Sequence, residues 1–166
     1  MSQWGKITLW DAAADGDLAM CKKRMESSFT KVNATDPQGK TALHEASRWG
    51  HADVIEFLVE NGADLSMQAD EGTTALHLAA EYGHTDAIRS LVKLGADVNC
   101  VDWNEDTPLM SAAGRKQVDA VKVLLELGAD ITLKNQQKKG ALDLAGNSDV
   151  LAALKGPTHV SPTDGY

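Results

Sequence analysis

Cysteine is nearly absent from this chain of 166 residues: Cys21 and Cys100 lie far apart, and neither sits in a Cys-x-x-Cys or Cys/His spacing. That excludes a disulfide framework and a sequence-readable zinc site, fits a reducing compartment, and leaves both thiols as expected buried apolar groups. Long apolar runs are lacking as well. No uncharged stretch approaches the ~18 residues of a membrane span, and Met1-Ser2-Gln3-Trp4-Gly5-Lys6 has no apolar segment of signal-peptide length. The expectation is a cytoplasmic chain, with the nucleus as the alternative location, and no membrane partner. Positive charge is also in deficit, since 16 Lys and Arg stand against 24 Asp and Glu for a net charge of −8. Such a field repels phosphate, and the densest basic run, Lys22-Lys23-Arg24, is three residues long, so no nucleic-acid partner is expected. Aromatic residues are few, at four Trp, two Tyr and two Phe. With 43% hydrophobic and 24% charged residues, the composition is that of one ordinary globular unit with a real core.

What the chain does have is self-similarity. Thr41-Ala42-Leu43-His44-Glu45-Ala46 recurs as Thr74-Ala75-Leu76-His77-Leu78-Ala79, as Thr107-Pro108-Leu109-Met110-Ser111-Ala112 and, more faintly, as Gly140-Ala141-Leu142-Asp143-Leu144-Ala145, each 33 residues after the last. Asn61-Gly62-Ala63-Asp64-Leu65, Leu94-Gly95-Ala96-Asp97-Val98 and Leu127-Gly128-Ala129-Asp130-Ile131 keep the same step. Each period has a physical reading. Thr41, Thr74 and Thr107 stand where a hydroxyl caps a helix, and Pro108 follows at the position where its missing donor costs nothing. Gly50 and Gly83 close a short first helix, and Gly62, Gly95 and Gly128 close a second. The stretches between carry Asp, Asn, Gly and Pro, which predict turns and a short extended hairpin. Such a unit cannot bury both apolar faces alone, so neighbours must stack into a solenoid.

Candidate chemistry is sparse. His44 and His77, and His51 and His84, are paired by the period, but no Ser or Cys nucleophile sits in a motif that would make one of them a general base. Asp64, Asp97 and Asp130 repeat along a stack instead of converging on a metal, and read as turn formers. No glycine-rich stretch has phosphate-binding spacing. The expectation is therefore no catalytic residues, no metal and no cofactor.

The repeated Thr-(Ala/Pro)-Leu-His-x-Ala pattern resembles the ankyrin repeat, over about Leu9 to Lys155. The resemblance implies an all-α solenoid of helix-turn-helix units with short β-hairpin loops, four to five repeats including two atypical caps. The approximate repeats are 6–35, 36–68, 69–101, 102–134 and 135–155, followed by a flexible tail at 156–166. In the first unit one residue is extra between Leu9 and Val32. In the last, the first helix loses about a turn. Unit four departs at Glu105, Met110 and Lys116, and is expected to be the least stable interior one.

The resemblance further implies structural roles for Thr41, His44, Thr74, His77 and Thr107, with the first histidine of each pair bonded near the threonine cap and the second tying adjacent units together. It also places Asn33 and Asn99 at a site hydroxylated in some ankyrin-like proteins, with Ser66 and Thr132 replacing it elsewhere. Loop tips and the exposed side of the first helices would form a concave protein-binding surface. By register that surface carries Arg48, Trp49, Asp70, Glu81, Tyr82, Trp103, Asp106 and Arg115, with Trp49, Tyr82 and Trp103 as apolar anchors. Exposed Trp, Tyr and Arg are the composition of a binding hot spot, and the acidic neighbours point to a partner with basic character or an aromatic-accepting surface. The chain reads as a non-catalytic adaptor, inhibitor or regulatory subunit, monomeric by itself. The alternative is a small-molecule, nucleic-acid-directed or enzymatic function at an unrecognised site.

Overall fold

The structure, a computed structural model, describes residues 7–27 and 30–156. Five helix pairs succeed one another: α1 (Leu9–Ala14) and α2 (Leu18–Met25), α3 (Ala42–Trp49) and α4 (Ala52–Glu60), α5 (Ala75–Glu81) and α6 (Thr85–Lys93), α7 (Pro108–Gly114) and α8 (Val118–Glu126), and α9 (Ala141–Leu144) and α10 (Ser148–Lys155). Odd-numbered helices pack in sequence to form a first row, and even-numbered helices form a second row beside it. The all-α repeat solenoid expected from the sequence is what the chain adopts.

The period explains the core. Leu43, Leu76 and Leu109 of the first row, and Ile55, Ile88 and Val121 of the second, are one period apart and sealed from solvent. Ala46, Ala79 and Ala112 are equally buried. Their lack of bulk lets successive first-row helices approach closely, and the longer side chains fill the space between rows.

The loop tips differ from expectation. No strand forms among the described residues. Each tip closes through a backbone bond from the N–H of Asp36, Ala69, Asp102 or Asn135 to the carbonyl of Lys40, Thr73, Asp106 or Lys139, and through a tighter one from the N–H of Gly39, Gly72, Glu105 or Lys138 back to the carbonyl of Asp36, Ala69, Asp102 or Asn135. The remaining groups turn to the neighbouring tip: Asp70 N donates to Gln38 O, Trp103 N to Glu71 O, and Gln136 N to Asn104 O. Backbone polar groups that an extended hairpin would satisfy within a unit are satisfied between units. Three tips are held internally by an Asx side chain, with Oδ1 of Asp36, Asp102 and Asn135 each accepting two backbone N–H groups. Ala69 has no such oxygen. There the chain makes a 3-10 turn over Asp70–Gly72, with Glu71 in the left-handed region at φ 63°.

The ends are irregular in the expected sense. Helix α9 has four residues, half the length of α3. Helix α1 has six, and its cap is Thr8, which accepts from Asp11 N at 3.1 Å. Eight positions separate Thr8 from the left-handed Gly16, whereas nine separate Thr41 from Gly50. That offset hides the cap from an alignment anchored on Leu9. The expected C-terminal tail lies outside the described residues from position 157 onward.

Lys116 takes the left-handed conformation that glycine takes at Gly50 and Gly83, and Glu105 and Lys138 do so where Gly39 and Gly72 stand in earlier units. Each carries about 1 kcal/mol of steric strain that glycine escapes. Lys116→Gly is therefore expected to raise unfolding free energy by about 0.5–1 kcal/mol, net of the greater freedom of the unfolded chain. Chemical denaturation with an unchanged slope would measure it. Leu76→Ala, a truncation at a sealed core site, should lose about 2–5 kcal/mol by the same assay.

Candidate functional site

The repeated threonines and histidines form one device. In α3 and α5 the Thr hydroxyl oxygen accepts the backbone N–H of His44 or His77, at 3.4 Å in each case. The hydroxyl then donates to the histidine Nδ1 at 2.9 Å. The backbone N–H of Thr41 and of Thr74 donates to the same nitrogen, at 3.1 and 3.3 Å. A nitrogen receiving two donors carries no proton, so the proton sits on Nε2. From there His44 donates to Thr73 O at 3.1 Å and His77 to Asp106 O at 2.8 Å, both carbonyls of the following unit. Burial lowers both histidine pKa values, against the opposing pull of those carbonyls. In α7 the ring is replaced by Met110, and the Thr107 hydroxyl keeps the cap bond from Met110 N without a ring nitrogen to donate to.

The second histidines also join units, as the resemblance implied. His51 Nε2 meets Ala14 O at 2.9 Å and His84 Nε2 meets Arg48 O at 2.8 Å. Their rings lie against Gly16 and Gly50, where any Cβ would collide. Gln117 takes over one period later, donating to Glu81 O at 3.0 Å. The 33-residue step from His84 is the signal that could have found Gln117, but a reading that looks for histidine passes it over. Asn33 and Asn99 bridge units on the far side, accepting from Asp64 N at 2.9 Å and Asp130 N at 2.8 Å. The carboxylates of Asp64, Asp97 and Asp130 hold their own turns, each accepting the N–H two residues on.

One pairing looks catalytic and is not. Cys100 Sγ stands 3.8 Å from His77 Nδ1 and 3.4 Å from Thr74 Oγ1. That nitrogen already accepts two donors, and burial pushes the Cys100 thiol up, so neither a base nor a thiolate is present. Cys21, fully buried, is pushed up to about 11, mainly by desolvation with Asp17 and Asp53 adding to it. Among the described residues no group of three or more His, Cys, Asp or Glu could hold a metal ion, and no helix is long and apolar enough to cross a membrane.

The exposed aromatic residues lie on the first-row face and its loop tips. Trp49, Tyr82 and Trp103 are 54%, 43% and 65% exposed. They fall into two places. At the C-terminal ends of α3 and α5, the Arg48 guanidinium carbon lies 5.5 Å from the Trp49 ring centre and 5.4 Å from that of Tyr82, while Tyr82 stacks on His84. At the opposite end of α5, about 10 Å away for a helix of this length, Trp103 covers Gly72 on the preceding tip. Glu81 and Arg115 pair with each other across units. The Asp106 carboxylate takes a 2.7 Å bond from Asn135. Asp70 has no hydrogen bond from its side chain and no ion pair among the described residues.

Stacked helix pairs bonded unit to unit through buried neutral histidines define a repeat protein that presents a surface, and the comparisons agree. The family profile described as ankyrin repeats (3 copies) matches residues 1–69 and 63–135. The chain belongs to the ankyrin repeat family. It is 37% identical over 60 residues to the ankyrin repeat-containing protein P1E11.10 of Schizosaccharomyces pombe, covering 36% of this chain and 28% of that protein. It is 42% identical over 60 residues to human ankyrin repeat domain-containing protein 39, covering 36% of this chain and 32% of that one. The human NAD-capped RNA hydrolase NUDT12 is 39% identical over 56 residues, covering 34% of this chain and 12% of the hydrolase. The matched stretch thus spans a third or less of each of these relatives. Ankyrin repeats are generally protein-protein interaction modules.

The histidine device gives a pH expectation. His44 and His77 titrate in the folded chain below the 6.5 of an ordinary histidine. The unfolded chain therefore binds more protons below that pH, so their contribution is complete above pH 6.5 and is lost as pH falls through the lower folded values. Asp64 and Asp130, held low by the Ser66 and Thr132 hydroxyls and backbone N–H groups, add a second loss only below about 3.8. A thermal melt series from pH 8 to pH 3 should be level first and then fall in two stages. A level Tm down to pH 4.5 would contradict the neutral-histidine assignment.

Proposed function

We propose that this chain is a non-catalytic binding module that holds a protein partner on its concave first-row face, as an adaptor, inhibitor or regulatory subunit in the cytoplasm or nucleus, monomeric until bound. The five helix pairs are taken as units 6–35, 36–68, 69–101, 102–134 and 135–155. The observation that carries the reading is the exposed group of Arg48, Trp49 and Tyr82 across two adjacent units. Large rings held open by a structured arginine lose little rotamer freedom on binding, which is what makes Trp, Tyr and Arg effective anchors. Glu81 and Arg115, paired beside them, are a polar rim, and Trp103 with Asp70 extends the surface to the tips. Asp106 supports that rim from behind, since its carboxylate already serves Asn135.

A small-molecule reading has less support. The hollow of about 980 Å³ between α8 and α10 is open, and its polar side chains, Lys122, Ser148, Asp149 and Lys155, alternate with Val118, Leu151 and Ala152 on exposed helix surface. Nor does a hydrolase activity carry over from a relative of which 12% is matched.

The test is affinity capture from lysate with the native chain beside a Trp49/Tyr82/Trp103 triple alanine variant, followed by titration of the captured protein with Trp49→Ala. The single substitution should weaken binding by about 2 kcal/mol or more, roughly 30-fold, without moving the melting temperature. Identical captures by the native and triple-variant chains would overturn the reading.

A further inference from the structure

We infer that the second and third loop tips form a receptor for a cationic segment of a partner, with a Lys or Arg side chain lying on the Trp103 ring. The assignment rests on the binding-module reading and goes further by naming the chemistry of the occupant.

Three observations carry it. Trp103 is the most exposed of the large apolar residues among the described residues, yet it is not loose: its backbone N–H is bonded to Glu71 O at 2.9 Å, its carbonyl accepts from Gln136 Nε2 at 2.7 Å, and its ring rests on Gly72. One side of the ring is thus held by the preceding tip while most of the residue stands in water. The tip sequences Asp70-Glu71-Gly72-Thr73 and Asp102-Trp103-Asn104-Glu105-Asp106 contain five carboxylates and no Lys or Arg. Asp102 and Asp106 spend theirs on bonds within the stack. Asp70, Glu71 and Glu105 are exposed, with no side-chain hydrogen bond or ion pair among the described residues. The flanking tips carry Lys40 on one side and Lys138 and Lys139 on the other, so the acidic field is confined to the pair of tips around Trp103.

The third observation is a contrast. Trp49 and Tyr82 already hold a cation of this chain, Arg48. No Lys or Arg stands over the Trp103 ring among the described residues. A Trp face is the best side-chain acceptor for a cation, and surrounding carboxylates add Coulomb attraction without competing for the ring. Glu71 and Glu105 are both in the left-handed backbone region, at φ 63° and 62°, where a non-glycine residue is strained. Two acidic residues kept at strained tip positions beside an open Trp fit a role in the surface better than one in the stack. The chain's net charge of −8 draws a basic segment toward it.

Fluorescence anisotropy of labelled octa-arginine and octa-lysine against the intact chain, with octa-glutamate as control, tests this directly. Expected are saturable binding of both basic peptides, none of the acidic one, an affinity that falls with salt, and a loss of about tenfold in Trp103→Ala. Glu71→Gly/Glu105→Gly removes both carboxylates while relieving the backbone, so weaker binding by this variant with a raised Tm separates a surface role from a folding defect. Leu142→Ala, at an exposed apolar residue of α9 that belongs to neither aromatic group, should bind within about twofold of the native chain. Undiminished binding by Trp103→Ala, equal binding of octa-glutamate, or a loss shared by Leu142→Ala would overturn the proposal. So would a dimer in sedimentation velocity that dissociates in Trp103→Ala, since a second copy would then be the occupant. Failure here with a capture still lost in the triple variant would sink only the cationic chemistry, whereas capture by that variant would sink the binding-module reading itself.

Discussion

The third and fourth units of this chain each leave a carbonyl of the loop facing the helix of the unit before, and the fold depends on a buried donor meeting it. His44 and His77 supply that donor at Thr73 O and Asp106 O. The bond requires a neutral imidazole with its proton on Nε2, which in turn requires a hydroxyl and a backbone N–H at Nδ1. One threonine therefore caps its helix, sets the tautomer of a histidine three residues on, and through that ring fixes the spacing to the next unit. Apolar packing supplies most of the stabilisation in such a stack, but packing of near-identical alanine and leucine faces is tolerant of sliding. A directional bond with one acceptor is not.

The same device accounts for the uneven character of the stack. Units two and three are joined by both histidine series, through His44 and His84, and units three and four by His77 of the first. At Met110 the first series ends. Gln117 carries the second series on from unit three to unit four with an amide in place of a ring, and at the corresponding N-cap of the last unit stands Asn147, whose side chain instead caps its own helix by accepting from Val150 N at 2.9 Å. Left-handed Glu105 and Lys116 add strain in the unit where those bonds thin out. The fourth unit is the place where regular stacking gives way to a cap, and the single-turn helix α9 opens that cap.

Much of this was legible in the sequence. The period, both helix rows, the threonine caps and the closing glycines were readable because each depends on local backbone chemistry that repeats. The tips read as hairpins because Asp, Gly and Pro specify a turn without specifying where the remaining N–H groups go. Here they go to the next unit, which no single period reveals. Thr8 was hidden because the stretch from it to Gly16 is one residue shorter than that from Thr41 to Gly50, and Gln117 because an amide can replace an imidazole as donor. Of the surface residues, exposure was correctly expected for Trp49, Tyr82 and Trp103. Their division into two places was not, because register gives the unit a residue belongs to but not the end of the helix it occupies. The pairing of Glu81 with Arg115 and of Asp106 with Asn135 was likewise invisible to register.

The tip-to-tip bonds from Asp70, Trp103 and Gln136 have a consequence for anything lying along them. They lock neighbouring tips at the spacing of packed helices, about 8–10 Å. An extended polypeptide advances about 3.3 Å per residue and covers that distance in about three. A strand-like ligand running along the tips would thus meet equivalent positions of successive units with every third side chain, a triplet cadence imposed by the backbone of the stack and independent of which side chains decorate it.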